Sequence, residues 1–321
     1  MLTKSEVKMI PFFSVAVTVY NKSHFIEQTI KSILNQSFTD FELIIVDDGS
    51  TDNSLEVING IKDDRITVYP TKNQGVSAAR NFGLNKANCN YIALSDGDDI
   101  WLENHLSELK LLIDSFPDCG IYATSYEKHF FNNYITKPKF NAVDHPFFGI
   151  VDDYFKTSLI DNILWTSAVI IPRQMLNKGF GFDETLGCGE DIDLWIRIAK
   201  DFKVAFSSKS TAHKMIHTQD NHLSLSKNIP NLISILDKHK SDEKHNPSLK
   251  AYLDVNRFTT AMEAKVRNDY DNYKKVKKDI DPKHLNLKLR LLLLLPASVL
   301  RFLKKFKFFL LKKKLYISPF R

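Results

Sequence analysis

Cysteine is scarce in this 321-residue sequence: Cys89, Cys119 and Cys188 are odd in number and far apart. No pair has metal-ligand spacing and no disulfide framework can be built from them, so a reducing compartment fits. Long apolar runs are missing as well. No uninterrupted segment reaches the roughly 20 residues of a membrane-spanning helix. The apolar stretch at 9–20, preceded by Lys4 and Lys8, imitates a signal peptide. Glu6 among the lysines, Pro11 at its opening and the lack of a small-x-small cleavage pattern favour a buried first strand instead. Neither G-x-G-x-x-G after that strand nor G-x-x-x-x-G-K-[ST] occurs, which argues against a dinucleotide oxidoreductase and a P-loop NTPase. Internal repeats and long Gly/Ser/Pro linkers are absent too.

Acid is missing from one region. Residues 284–321 hold ten Lys or Arg and no Asp or Glu, while the whole chain has a formal net charge of +6. Residues 1–283 therefore carry −4. A basic balance points to nucleic acid, an anionic membrane surface or a phosphorylated substrate. Because the charge is a tail rather than a stripe on the body, a nucleic-acid partner is not expected. With 43% apolar and 26% charged residues, the chain is globular in composition.

What is present has a regular order. Residues 14–20 form a β-branched apolar run ending at Asn21, and Ser23 fits a helix N-cap before Phe25, Ile26, Ile30, Ile33 and Leu34 at helical spacing. Residues 41–46 make a second strand that stops at Asp47-Asp48-Gly49-Ser50. A helix around 55–61, a short strand at 66–69 and a helix of small residues from 74 follow. Residues 91–94 then form a strand ended by Ser95-Asp96-Gly97-Asp98-Asp99. This alternation predicts an α/β fold with a mostly parallel sheet flanked by helices, whose ligands bind beyond the carboxyl ends of the strands. Both acidic clusters fall at those ends. Residues 121–182 read as irregular and aromatic with a strand at 167–171. A helix covers 192–198, a last strand 204–206, and a polar loop 213–224. Beyond about 228 the chain reads as charged helix.

Carboxylates spaced Asp-x-Asp on a turn can converge on a hard cation, Mg²⁺ or Mn²⁺, shared with substrate phosphates. Gly97 between them would let the backbone bend and approach a diphosphate. The bland alternatives stand beside these readings: Asp and Gly are ordinary turn residues, and Arg80 could serve a structural ion pair as readily as a base or phosphate.

Five segments occur in order: Ser-Val-Ala-Val-Thr-Val-Tyr-Asn at 14–21, Val-Asp-Asp-Gly-Ser at 46–50, Asn-Gln-Gly-Val-Ser-Ala-Ala-Arg-Asn at 73–81, Asp-Gly-Asp-Asp at 96–99 and Gly-Glu-Asp-Ile-Asp-Leu-Trp at 189–195. Together they resemble family 2 glycosyltransferases, inverting enzymes with the Rossmann-like GT-A fold, over roughly residues 12–225. The resemblance implies that Thr18, Asp47, Arg80 and Asp96 bind the nucleotide-sugar donor, with Asp47 reading the base, usually uracil. Asp98 would hold the divalent cation and Asp99 extends the motif. Asp191 matches the catalytic base, with Glu190 and Trp195 on the acceptor side and Arg197 on the same helix. His217 matches a histidine near the diphosphate or metal, although His213 and His222 are close in sequence. Inverting transfer is one in-line displacement, so it needs a carboxylate on the acceptor side and charge compensation on the leaving-group side. Asp191 and Asp98 suit those two tasks.

Residues 291–295 are an uninterrupted leucine run closed by Pro296. Val299, Phe302, Leu303, Phe306, Phe309 and Leu310 then recur at helical spacing among Arg301, Lys304, Lys305, Lys307 and Lys312. A basic amphipathic helix lying in an anionic membrane interface is expected, since the tail holds no acid of its own to pair with. The expected organisation is a GT-A domain over 1–225, a charged helical region over 226–283 and a membrane-associating tail over 284–321. The expected activity is hexosyl or N-acetylhexosaminyl transfer to a glycan or lipid-linked acceptor in cell-surface polysaccharide synthesis, at the cytoplasmic face of a membrane. The alternative is a non-catalytic, membrane-associated protein that binds nucleotide sugars or carbohydrate on the same scaffold.

Overall fold

A computed structural model describes residues 10–216 and 228–320. Its first half alternates as the sequence predicts: β1 (Phe13–Val19), α1 (Ile26–Leu34), β2 (Phe41–Asp47), α2 (Ser54–Gly60), β3 (Ile66–Pro70), α3 (Val76–Lys86) and β4 (Tyr91–Asp96). These strands lie parallel in the order β3-β2-β1-β4. Side chains alternate along each strand, so both faces must be covered. Val15 and Val17 of β1 pack with Ile26, Ile30 and Ile33 of α1 in one core. Ala16, one residue out of step, packs on the other face with Ala79 and Leu84 of α3.

Beyond β4 the chain runs through β5 (Ile100–Trp101), α4 (His105–Ser115), β6 (Ile121–Phe130), β7 (Tyr134–Thr136), β8 (Phe148–Ile150), α5 (Tyr154–Thr157), β9 (Val169–Pro172), α6 (Arg173–Asn177), α7 (Glu190–Asp201) and β10 (Val204–Ile216). β9 inserts antiparallel between β4 and β6, and β10 continues the sheet parallel to β6. Three expectations change here. Residues 121–130, read as irregular, form a long strand whose first six residues are all buried. The expected loop from 213 begins inside β10, which runs on to Ile216. The predicted strand at 167–171 is a 3-10 turn at Thr166–Ala168 followed by β9.

The described residues from 228 onward are mainly helical: α8 (Ile229–Lys238), α9 (Pro247–Val266), α10 (Tyr270–Lys277), α11 (Leu287–Leu294) and α12 (Ala297–Lys312). Leu249, Tyr252 and Leu253 of α9 and Leu289 and Leu293 of α11 join the same core as α3 and Trp195 of α7. Among the described residues no helix is long and apolar enough to cross a membrane. The tail is not free of acidic partners: Lys304 pairs with Glu263 of α9 at 3.2 Å, and Arg301 donates to the Val266 carbonyl and to Asn268. Phe308 packs on Phe131 and Tyr316 on Phe130. Even so, Phe302, Phe306 and Phe309 stay about half exposed or more, at 65, 46 and 53%.

Candidate active site

The carboxyl ends of β1, β2 and β4 meet at one edge, and the acidic motifs lie there because each strand hands its chain to a turn. Thr18 is opposite both Val46 and Asp96 in the register. Asp47, the last residue of β2, is buried and accepts hydrogen bonds from the Ser50 hydroxyl and backbone N–H. Its neighbour Asp48 accepts from the backbone N–H groups of Gln74 and Gly75 at 3.0 and 2.9 Å, fixing the entry to α3. Burial, with the charge of Asp47 adding to it, holds Asp48 above the ordinary carboxylate range despite these donors.

Asp96, Asp98 and Asp99 close β4. Asp98 is 6% exposed and takes the Lys22 ammonium at 2.6 Å. Lys22 reaches it because loop 20–23 is tied to the loop after β2: its N–H donates to Ser54, and the Asn21 side chain accepts from Thr51. That tie also displaces the predicted Ser23 cap, for α1 starts at Ile26 with no side-chain cap. Asp99 is enclosed by donors, the Ser167 hydroxyl at 2.6 Å and the Met215 N–H at 3.1 Å. Burial first, then Asp98 and Asp96, drive its carboxyl well above the usual range. Gly97 differs from its expected role. A Cβ there would lie 3.1 Å from the Thr18 carbonyl and 3.2 Å from Val19, so the glycine lets the turn close against β1.

Arg80 joins this cluster to the far motif. Rising from α3, its side chain is 6% exposed and donates to Asp96 at 2.7 Å and to Glu190 at 2.6 Å. Burial opposes its charge, but Asp96 and Glu190 outweigh that and raise its pKa further. Arg80 thus bridges two acidic walls. Glu190 is the buried partner on the far side of this bridge.

Glu190 and Asp191 open α7, where carboxylates complement the helix dipole. Gly189 makes that start possible: its φ is +77°, and a Cβ would meet Ile235 at 2.8 Å. Asp191 is half-buried, and its carboxylate accepts the Ile192 N–H at 2.7 Å. Near it lies a set that sequence reading missed. Tyr154 donates to Asn162, whose amide donates to Tyr252, at 3.1 Å each. Burial pushes Tyr252 up to about 12, and Asp191 adds to that. Lys22, Ser167, Tyr154 and Asn162 lie in loops and in the aromatic stretch, where no periodicity marks them, and Tyr252 comes from the distant helix α9. Trp195 corrects another expectation: it is fully buried, edge-on to Phe182, and packs α7 rather than contacting an acceptor. Asp193 and Arg197 pair at 2.7 Å within the same helix. His217 and His222 lie outside the described residues, while His213 lies on β10.

The donor set at the end of β4 suits a hard divalent cation. Asp96, Asp98 and Asp99 offer carboxylate oxygens, and Asp98 already draws a positive group, the Lys22 ammonium, onto itself.

The sequence profile of glycosyl transferase family 2 matches residues 14–178, about half of the chain, and so spans the strand-end motifs through Asp99. The chain belongs to that family. An uncharacterised glycosyltransferase of Rickettsia bellii is 32% identical over 191 residues, 58% of this chain and 26% of that protein. The chain spans between 26 and 40% of the length of the first relatives it matches. Among solved structures, Staphylococcus aureus TarS 1–349 in complex with UDP-GlcNAc superposes with a TM-score of 0.56 at 17% identity, covering 83% of this chain and 90% of that one. The mannosyltransferase PcManGT of Pyrobaculum calidifontis, in complex with GDP-Man and Mn²⁺, gives 0.58 at 17% identity, covering 93% and 80%. At such identities the likeness establishes the GT-A fold.

Proposed function

We propose that this chain is an inverting, cation-dependent glycosyltransferase that moves a sugar from a nucleotide-sugar donor, UDP-linked, to a hydroxyl of a glycan or lipid-linked acceptor. The observation that carries the reading is the Arg80 bridge. One buried guanidinium holds Asp96 of the strand-end cluster and Glu190 beside Asp191 within 2.7 Å, so two motifs distant in sequence are drawn side by side, which supports reading them as one site. Thr18 and Asp47, at the ends of β1 and β2, line the nucleotide side. Asp98 and Asp96 would hold Mn²⁺ or Mg²⁺, which when bound offsets the negative charge of the departing diphosphate. Asp191 takes the proton of the acceptor hydroxyl as its oxygen bonds to the anomeric carbon. The bond from that carbon to the diphosphate oxygen breaks on the opposite side, and the nucleoside diphosphate leaves.

The location follows from α12. Its exposed Phe302, Phe306 and Phe309 sit among Lys and Arg with no acid in the segment. Such a surface suits the interface of an anionic membrane, and a cytoplasmic face would present a lipid-linked acceptor of cell-surface polysaccharide synthesis to the site. A donor screen tests the central reading: thermal stabilisation by a panel of nucleotide sugars, with and without Mn²⁺. Stabilisation by a UDP-sugar that needs Mn²⁺ and is lost in Asp98→Asn is expected. Stabilisation by no nucleotide sugar, or equally without the cation, contradicts it.

A further inference from the structure

Glu127, His129 and His213 gather at a place the donor chemistry does not use. β6 and β10 run parallel with Glu127 directly opposite His213, and His129 follows Glu127 by two residues. Side chains two apart on a strand share a face, and cross-strand neighbours on that face touch, so the pairing brings all three together. Glu127 Oε2 lies 3.3 Å from His129 Nε2 and 3.8 Å from His213 Nε2. One ligand atom from each residue lies within 4.8 Å of the other two. The two imidazoles stack with centroids 3.9 Å apart.

Protonating both rings at that distance would set two positive charges face to face. Burial, and then His129, hold His213 below the ordinary histidine value, against the opposing pull of Glu127. Four ligands around zinc at 2.0–2.1 Å stand about 3.3 Å from one another, close to the separations Glu127 already makes. Lys137 approaches the opposite oxygen, Oε1, at 3.7 Å and is 74% exposed, so Oε2 stays available. The three side chains are 20 to 22% exposed, which gives an ion access.

We propose that Glu127, His129 and His213 bind a divalent transition metal of the zinc type, with the fourth position left to water. Two imidazoles and one carboxylate favour such an ion, whereas the all-oxygen Asp96/Asp98 set favours Mg²⁺ or Mn²⁺. Binding draws the two rings out of their stack by rotation about their Cβ–Cγ bonds. The ion would tie β6 to β10 two residues before Met215, whose N–H donates to Asp99, and so brace the wall of the donor site from behind.

The test uses the full chain, stripped with chelator and titrated with Zn²⁺ in excess Mg²⁺, alongside His129→Ala, His213→Gln and Asp98→Asn. One equivalent of zinc should bind and raise the melting temperature. Affinity should fall at least tenfold in either histidine variant and persist in Asp98→Asn. Co²⁺ should give the intense visible bands of a four-coordinate nitrogen–oxygen site in the wild type and in Asp98→Asn. Circular dichroism of the metal-free variants separates lost ligation from lost folding, and Glu127→Gln, which keeps the shape of the side chain, supplies a second weakened variant. No zinc binding by the wild type, binding unchanged by the histidine substitutions, or only the weak spectrum of six-coordinate Co²⁺ would overturn the assignment.

Discussion

Removing Arg80 strands two carboxylates at once, the buried Glu190 and the partly exposed Asp96, which share its guanidinium at 2.6 and 2.7 Å. Breaking a buried pair costs about 3–5 kcal/mol because the charge left behind has no partner. For the Glu190 half of the bridge, Arg80→Met should therefore lose about that much in urea unfolding, and Arg80→Lys should recover only part of it, since an ammonium cannot span both oxygens. A loss below about 1 kcal/mol would show that the bridge does not hold the site together. His105 offers a second test at this scale. It is fully buried between Trp101 and Thr211, and burial lowers its pKa from 6.5 to about 3. A base with a depressed folded pKa contributes stability that is complete above its unfolded value and is lost as pH falls. Unfolding free energy should thus decline from about pH 6.5 towards 3, and His105→Gln should flatten that decline. An unchanged pH profile in the variant would contradict it. At the level of residues, the sequence displayed the aspartates but not their partners. Lys22 and Ser167 reach Asp98 and Asp99 from loops, and nothing in local spacing announces a long-range donor.

Among the elements, β1 to β4 were legible because both faces of a parallel strand are covered, and such strands read as near-continuous Val, Ile and Leu. β6, and β10 beyond Phe206, escaped for the opposite reason. β6 mixes Thr124, Ser125, Glu127, Lys128 and His129 into its length. β10 breaks its register between Ser207 and Ser210 and again before Ala212, so no period of two survives there. The start of α7 depends on backbone conformation more than on composition. Gly189→Ala must place a Cβ at φ +77°, 2.8 Å from Ile235, at a cost of about 1–3 kcal/mol. Because Asp191 follows two residues later, transfer should fall more than donor affinity. Equal losses in both would mean that the turn serves folding alone.

Across the whole molecule, the charge division visible in the sequence has a structural counterpart, though the tail is less isolated than its composition implies. α12 leans on α9 and on the turn between β6 and β7, yet keeps a phenylalanine ladder outside. Those rings pack no core, so Phe302, Phe306 and Phe309 changed together to Ser should leave the melting temperature within about 2 °C. The same triple variant should lose sedimentation with anionic vesicles. Retained sedimentation would remove the tail as the membrane element. The central claim concerns the two acidic stations joined by Arg80, and Asp191→Asn probes it most directly. Donor affinity and its dependence on Mn²⁺ should match the wild type, while transfer to acceptor falls by about 10²–10⁴-fold, the contribution of a positioned general base. Full transfer by Asp191→Asn, measured on the same preparation that binds donor normally, would contradict the account.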